Sequence, residues 1–164
     1  MSRFVIDFQA YNYDRSYIIK ELCIINLDTN HVLHFLARPP FDRSVLSSDE
    51  EKRVSWLENY FHKIKWEDGA DEYSDVFASL RQCVRNAKIL YVKGRERALF
   101  IQHVTGKFTM DLDQLDCPPA SSLPALNSCC HYYTHSNSPH SKCALYQALK
   151  FKDWLSAFAS DDCK

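Results

Sequence analysis

FVIDFQAYNYDRSYIIKELCIINLDTNHVLHFLA, residues 4–37, is the stretch whose pattern decides the fold. Phe4, Ile6 and Phe8 alternate with Val5, Asp7 and Gln9. Period two with apolar residues on the second face as well predicts a largely buried strand. Asp7 lies inside it, and a buried carboxylate is costly unless paired, protonated or near an exposed strand end. Residues 11–16 read as a polar connection. Residues 17–27 (YIIKELCIINL) read as a long β-branched strand, with Lys20 and Glu21 interrupting its apolar run. Residues 28–30 (DTN) form a turn by composition. Residues 31–37 (HVLHFLA) are a third strand, ended by Pro39-Pro40. Three strands joined by short turns predict an antiparallel meander.

The pattern then changes to helical. Ser48 is an N-cap candidate, with Glu51 completing a capping box. Val54, Leu57, Phe61 and Ile64 follow on one helical face. After a loop at 66–69, residues 72–86 form a second helix with Tyr73, Val76, Phe77, Leu80 and Val84 inward. Residues 89–92 (ILYV) are the continuous apolar run of a central buried strand. A helix follows through about 104, with Gly106 placed to terminate it. Residues 108–112 (FTMDL) are the next strand, and 115–126 are irregular. The last helix, 144–158, presents Leu145, Ala148, Phe151, Leu155 and Phe158 to the core. An antiparallel three-strand meander followed by strand–helix–strand units gives an α/β mixed sheet with parallel strands and flanking helices. That element order is the topology of a ribonuclease H-like exonuclease fold. One domain over 1–160 is expected, with a frayed tail at 161–164.

Composition bounds the function classes. The chain has 164 residues, 46% hydrophobic and 25% charged, with a net charge of −1. Non-specific nucleic-acid binding normally rests on an excess of Lys and Arg, so here it would need a local patch. No apolar run reaches the roughly 18 residues of a membrane span. The opening MSRFVIDFQAY lacks a basic segment followed by a long apolar stretch, so it reads as a strand and not a signal peptide. A cytoplasmic or nuclear setting is expected. The seven cysteines, an odd number, are then reduced or metal-bound.

Residues 128–155 (SCCHYYTHSNSPHSKCALYQALKFKDWL) concentrate Cys129, Cys130, His131, His135, His140 and Cys143 ahead of the last helix. Soft and borderline ligands at this density point to zinc. Cys143 stands at the helix start, where the dipole and free N–H groups favour a thiolate. Cys23 and Cys83 lie on apolar faces as small core residues, Cys117 precedes two prolines as a structural residue, and Cys163 is in the tail. Cys143 with His135 could mimic a thiol protease pair, but the crowd of further ligands makes zinc the simpler reading. Four protein ligands leave no open position for water, so the zinc is expected to be structural. Lys88, Lys93, Arg95, Arg97 and Lys107 are the candidate RNA-binding cations, expected around one strand end and the following helix. Lys142, Lys150 and Lys152 could extend that patch. Tyr11, Tyr13, Tyr132 and Tyr133 are read as loop aromatics able to stack on bases.

Two resemblances attach to these residues. The first strand is similar to that of the DEDD exonucleases of the ribonuclease H-like superfamily, which carry Asp-x-Glu there and two further acids on later helices. Those carboxylates hold two metal ions that activate water. Here Asp7 matches and Gln9 replaces the glutamate; residues 94–104 (GRERALFIQHV) have no aspartate, and 143–148 (CALYQA) keep the small residues without the acid. Two-metal exonuclease chemistry is therefore not expected. The chain more closely resembles the Maelstrom domain, a ribonuclease H-like domain that lost these acids and gained a Glu-Cys-His-Cys zinc site. The resemblance implies Glu21, Cys130, His135 and Cys143 as ligands, with His140 able to displace His135, and His131 or Cys129 able to displace Cys130. The family's Cys and His usually have two residues between them, whereas Cys130 and His135 have four. The family's HMG box is absent from this sequence, and a stand-alone relative, such as a transposon- or virus-derived copy, is expected. The implied function is binding to RNA or to RNA-silencing (piRNA-pathway) proteins, with weak metal-independent cleavage of single-strand RNA left open. The alternative is a protein-interaction scaffold of the same fold.

Overall fold

β1 (Ser2–Tyr13) and β2 (Ser16–Asn26) form one long antiparallel hairpin in the computed structural model, which describes residues 2–126 and 142–161. Asp14 and Arg15 make the turn with φ of 47° and 59°. Two successive left-handed residues are the signature of the tight hairpin turn whose twist suits the flanking strands. The supposed polar connection is therefore strand. Tyr11 is fully buried, and its hydroxyl donates to the Ile64 carbonyl. Tyr13 packs on Phe41. Polar Asn12 and Asp14 mask an alternation that cross-strand pairing down to Tyr13↔Ser16 makes plain.

β3 (Val32–Leu36) pairs antiparallel with β2. β4 (Ala87–Val92) lies parallel to β1 on its other side, and β5 (Thr109–Asp111) parallel to β4. The order is β3-β2-β1-β4-β5, with β1 at the centre. Four α-helices are seen among the described residues: α1 (Ser48–Tyr60), α2 (Tyr73–Cys83), α3 (Arg95–Thr105) and α4 (Ala144–Asp161). This is the α/β mixed sheet expected, consistent with a ribonuclease H-like arrangement. No helix among the described residues is long and apolar enough to cross a membrane.

A bulge between Gln9 and Ala10 sets which side chains face which layer. Gln9 pairs with Glu21 and Ala10 with Ile19, so Lys20 is the extra residue on β2. A single inserted residue reverses the facing of everything beyond it. Ile19 thus joins Leu22, Ile24, Phe4, Ile6 and Phe8 in the layer under α2 and α3. Cys23, Ile25 and Val5 face α4, through Ala144, Ala148 and Phe151. Tyr11 and Ile18 pack with Val54 of α1 and with Trp66. Lys20 itself is fully buried, donating to the carbonyls of Ala37, Trp66 and Asp68 at 2.5–2.8 Å.

Helix ends follow local chemistry, with small shifts from expectation. The capping box of α1 uses Ser47 and Glu50, one residue earlier than expected. Arg43 holds Glu51 in a paired contact at 2.6–2.9 Å, so that carboxylate is not free to cap. Ile64 is buried but lies beyond α1, which stops at Tyr60. Gly106 does end α3, at φ 68°. Gly69 is needed where the loop before α2 crosses the end of β3. Its φ is 140°, and a Cβ there would lie 2.4 Å from the Ala37 carbonyl.

Candidate metal centre

Two rungs of the sheet build the site. His34, Cys23 and Asp7 are lateral neighbours across β3, β2 and β1, and Leu36, Glu21 and Gln9 form the next rung. Residues two apart on a strand share a face, so Asp7, Gln9, Glu21, Cys23 and His34 all point to the α4 side. Above them α4 begins. Cys143, just before its first residue, is fully buried, as is Glu21.

Glu21 is the hub. Its Oε1 accepts the Ala144 backbone N–H at 2.8 Å, one of the amides a helix start leaves without an internal partner. Its Oε2 lies 2.7 Å from His34 Nε2 and 3.5 Å from Cys143 Sγ. The three donor atoms all lie within 4.8 Å of one another, so Glu21, His34 and Cys143 could hold a metal ion. Donors 2.0–2.3 Å from a tetrahedral zinc stand about 3.3–3.8 Å apart, so the Glu21–His34 contact would have to open, while the Glu21–Cys143 spacing of 3.5 Å already falls in that range. Carboxylate, imidazole and thiolate together suit zinc better than a hard cation such as Mg²⁺.

Of the expected ligands, the structure brings Glu21 and Cys143 together. Cys129, Cys130, His131, His135 and His140 lie outside the described residues, as do Tyr132 and Tyr133. His34 is a donor that the sequence reading passed over. Its one signal was a histidine inside an apolar strand, and only the β2–β3 register places it beside Glu21. The other described cysteines, Cys23, Cys83 and Cys117, pack in or against the core. Cys23 is fully buried, and burial pushes the Cys117 thiol up to about 11 and raises that of Cys83.

Asp7 is almost fully buried, and its Oδ2 has no hydrogen-bond partner among the described residues. Burial raises this carboxyl to about 7; the Arg97 charge opposes that rise and the Glu21 charge adds to it. Gln9 turns its amide away from ligand duty, donating to the Lys142 carbonyl at 2.7 Å. On α3 the Arg97 guanidinium stacks on Phe8, 4.1 Å from the ring centroid.

The five candidate RNA-binding cations do not form one patch. Lys88 and Lys107 stand at the N-terminal ends of β4 and β5, whereas Lys93, Arg95 and Arg97 stand beyond the C-terminal end of β4. Six residues of strand separate the two edges by roughly 16–20 Å. Lys93 is paired with Asp113. Tyr11, fully buried, cannot stack on a base. Comparison of the chain with protein-family models finds no match, and comparison with curated proteins finds none either.

Proposed function

We propose that this chain is a zinc-stabilised, catalytically degenerate exonuclease-like domain of Maelstrom type that binds single-stranded RNA. The observation that carries this reading is the meeting of Glu21 and Cys143, 122 positions apart in the chain. They come from the strand and the helix start that the resemblance singles out, and they meet with an imidazole beside them. Zinc replaces the Glu21–His34 contact and binds Glu21, His34 and Cys143. The fourth ligand comes from the Cys/His-rich segment, with Cys130 and His135 the first candidates. A site closed by four protein ligands is structural, and it ties β2 and β3 to the start of α4. RNA binding is supported by Arg95 and Arg97 at the sheet edge where Asp7 lies. An RNA-silencing or mobile-element setting is the corresponding context.

The test is filter binding of a single-stranded oligoribonucleotide between about 50 and 200 mM salt, where neutralised phosphates give a steep log–log slope. Binding that weakens steeply across the series is the expected outcome. Absence of binding at the lowest salt would remove the RNA reading and leave a zinc-held protein-interaction scaffold of the same fold.

A further inference from the structure

The C-terminal half of β1 outruns its parallel neighbour. Pairing with β4 stops at Val5↔Tyr91, while β1 continues to Tyr13. The order of strands also reverses at β1, with β2 and β3 on one side and β4 and β5 on the other. In open α/β sheets the crevice beyond the carboxyl ends of the strands at such a reversal is where ligands sit. A groove of about 270 Å³ lies there between α1 and α3, lined by Gln9, Asn12, Tyr17, Trp56, Phe61 and Arg97 among others. That is slightly below the roughly 300–1,000 Å³ that encloses a whole drug-sized ligand, so it suits one part of a longer chain.

Its walls have two properties. The first is aromatic surface. Trp56 is 54% exposed and Tyr60, one turn on, is 73% exposed. The Trp56 and Phe61 rings stack at 6.0 Å with 24° between planes. The second is charge of one sign. Among the described residues Arg97 is the one charged residue of the lining, and no carboxylate lines the groove. Lys142 Nζ stands 4.3 Å from the Phe61 ring centroid. Neither Arg97 nor Lys142 forms a salt bridge among the described residues. Arg97 Nε is buried with no hydrogen-bond partner among the described residues.

We propose that this groove takes one nucleotide of a single-stranded RNA, its base stacked on Trp56 beside Phe61 and its phosphate held by Arg97 and Lys142. The proposal rests on the RNA-binding reading above and deepens it by naming the site and the mode. Exposed ring faces beside unpaired cations match a ligand that alternates flat bases with phosphates. An acidic peptide would use the cations and leave the Trp56 face without a partner.

The experiment is fluorescence anisotropy of a labelled oligouridylate with wild-type protein and four variants whose melting curves are recorded in parallel. Trp56→Ala is expected to weaken binding about ten- to a hundred-fold, and Trp56→Phe to retain most of it. Arg97→Gln should reduce the magnitude of the log–log salt slope by about 0.7. Phe108→Ala removes an aromatic that is 59% exposed at the opposite sheet edge, and it should leave binding unchanged. Wild-type protein that fails to bind RNA at low salt would overturn the RNA reading and this groove with it. Wild-type binding that survives Trp56→Ala and Arg97→Gln in folded protein would overturn the groove alone. Displacement of the RNA by polyglutamate as readily as by unlabelled RNA would assign the groove to an acidic peptide and overturn the proposal.

Discussion

Glu21 is a buried carboxylate with an imidazole at 2.7 Å and a helix-start amide at 2.8 Å. Without a metal it is half of a buried pair whose desolvation offsets much of the mutual attraction. With zinc the same three donors become ligands and folding is linked to metal. One Zn²⁺ per chain is therefore expected by elemental analysis of protein purified without added metal. Glu21→Gln should cost about 3 kcal/mol by stranding its partners. Cys143→Ala and His34→Ala should both lower zinc content and melting temperature, chelator should mimic them, and Cys163→Ala should do neither. Full zinc content in His34→Ala would remove His34 from the ligand set. Asp7 supplies a pH dependence. Its carboxyl is raised from 3.8 to about 7, so the folded state holds the proton more tightly than the unfolded chain does. Its contribution to stability is complete below about pH 4 and is lost as pH rises toward 7. Asp7→Asn should flatten that fall. The comparison belongs on chelator-treated protein, because a dication on Glu21 would pull the carboxyl back down.

At the scale of elements, the bulge on β2 separates two adjacent charged residues that look alike in the chain. Lys20 becomes the inserted residue and is sent to three carbonyls, at Ala37 after β3 and at Trp66 and Asp68 in the loop before α2. Glu21 keeps the ladder position opposite Gln9 and faces α4. The ammonium takes the place of a backbone ladder where β3 ends, and Gly69 lets the loop approach closely enough to be held. Lys20→Met keeps the apolar stem and strands all three acceptors. It should cost about 3 kcal/mol or more in urea denaturation, since hydrogen bonds from a charged donor are worth more than neutral ones. A loss under about 1 kcal/mol would mean that water or neighbouring donors replace the ammonium.

For the molecule as a whole, the five-strand mixed sheet with its flanking helices is consistent with a ribonuclease H-like arrangement. Two-metal catalysis needs carboxylates converging on a pair of cations. Around Asp7 the structure sets a neutral Gln9, whose amide is committed to the Lys142 carbonyl, the cation Arg97, and one further carboxylate, Glu21, which is held by the Ala144 N–H and His34. Purified protein with Mg²⁺ or Mn²⁺ should leave single- and double-stranded oligonucleotides intact from their ends. A processive ladder on a sequencing gel that disappears in Asp7→Ala would overturn this.

The β-meander, the buried strand at 89–92 and the amphipathic last helix were legible in the sequence, because each is a local periodicity of apolar residues. So was the pairing of Glu21 with Cys143, through resemblance and not through any local signal. The full length of the first hairpin was not legible. A turn at Asp14-Arg15 depends on two left-handed residues that are neither glycine nor asparagine, so its composition gave little warning. His34 was not legible either. A strand residue acquires its neighbours from register, and the register of β3 on β2 exists only in the folded sheet. The expected cationic patch fails for the same kind of reason. Residues close in the chain at 88–97 run along a strand and end at opposite edges of the sheet. Sequence alone determined the strand or helix character of the segments with a clear hydrophobic period, because that period is a property of the chain. Only the tertiary structure decided that the His34 imidazole stands beside Glu21 and Cys143, because that depends on the register of β3 on β2 and on where the start of α4 lies over the sheet.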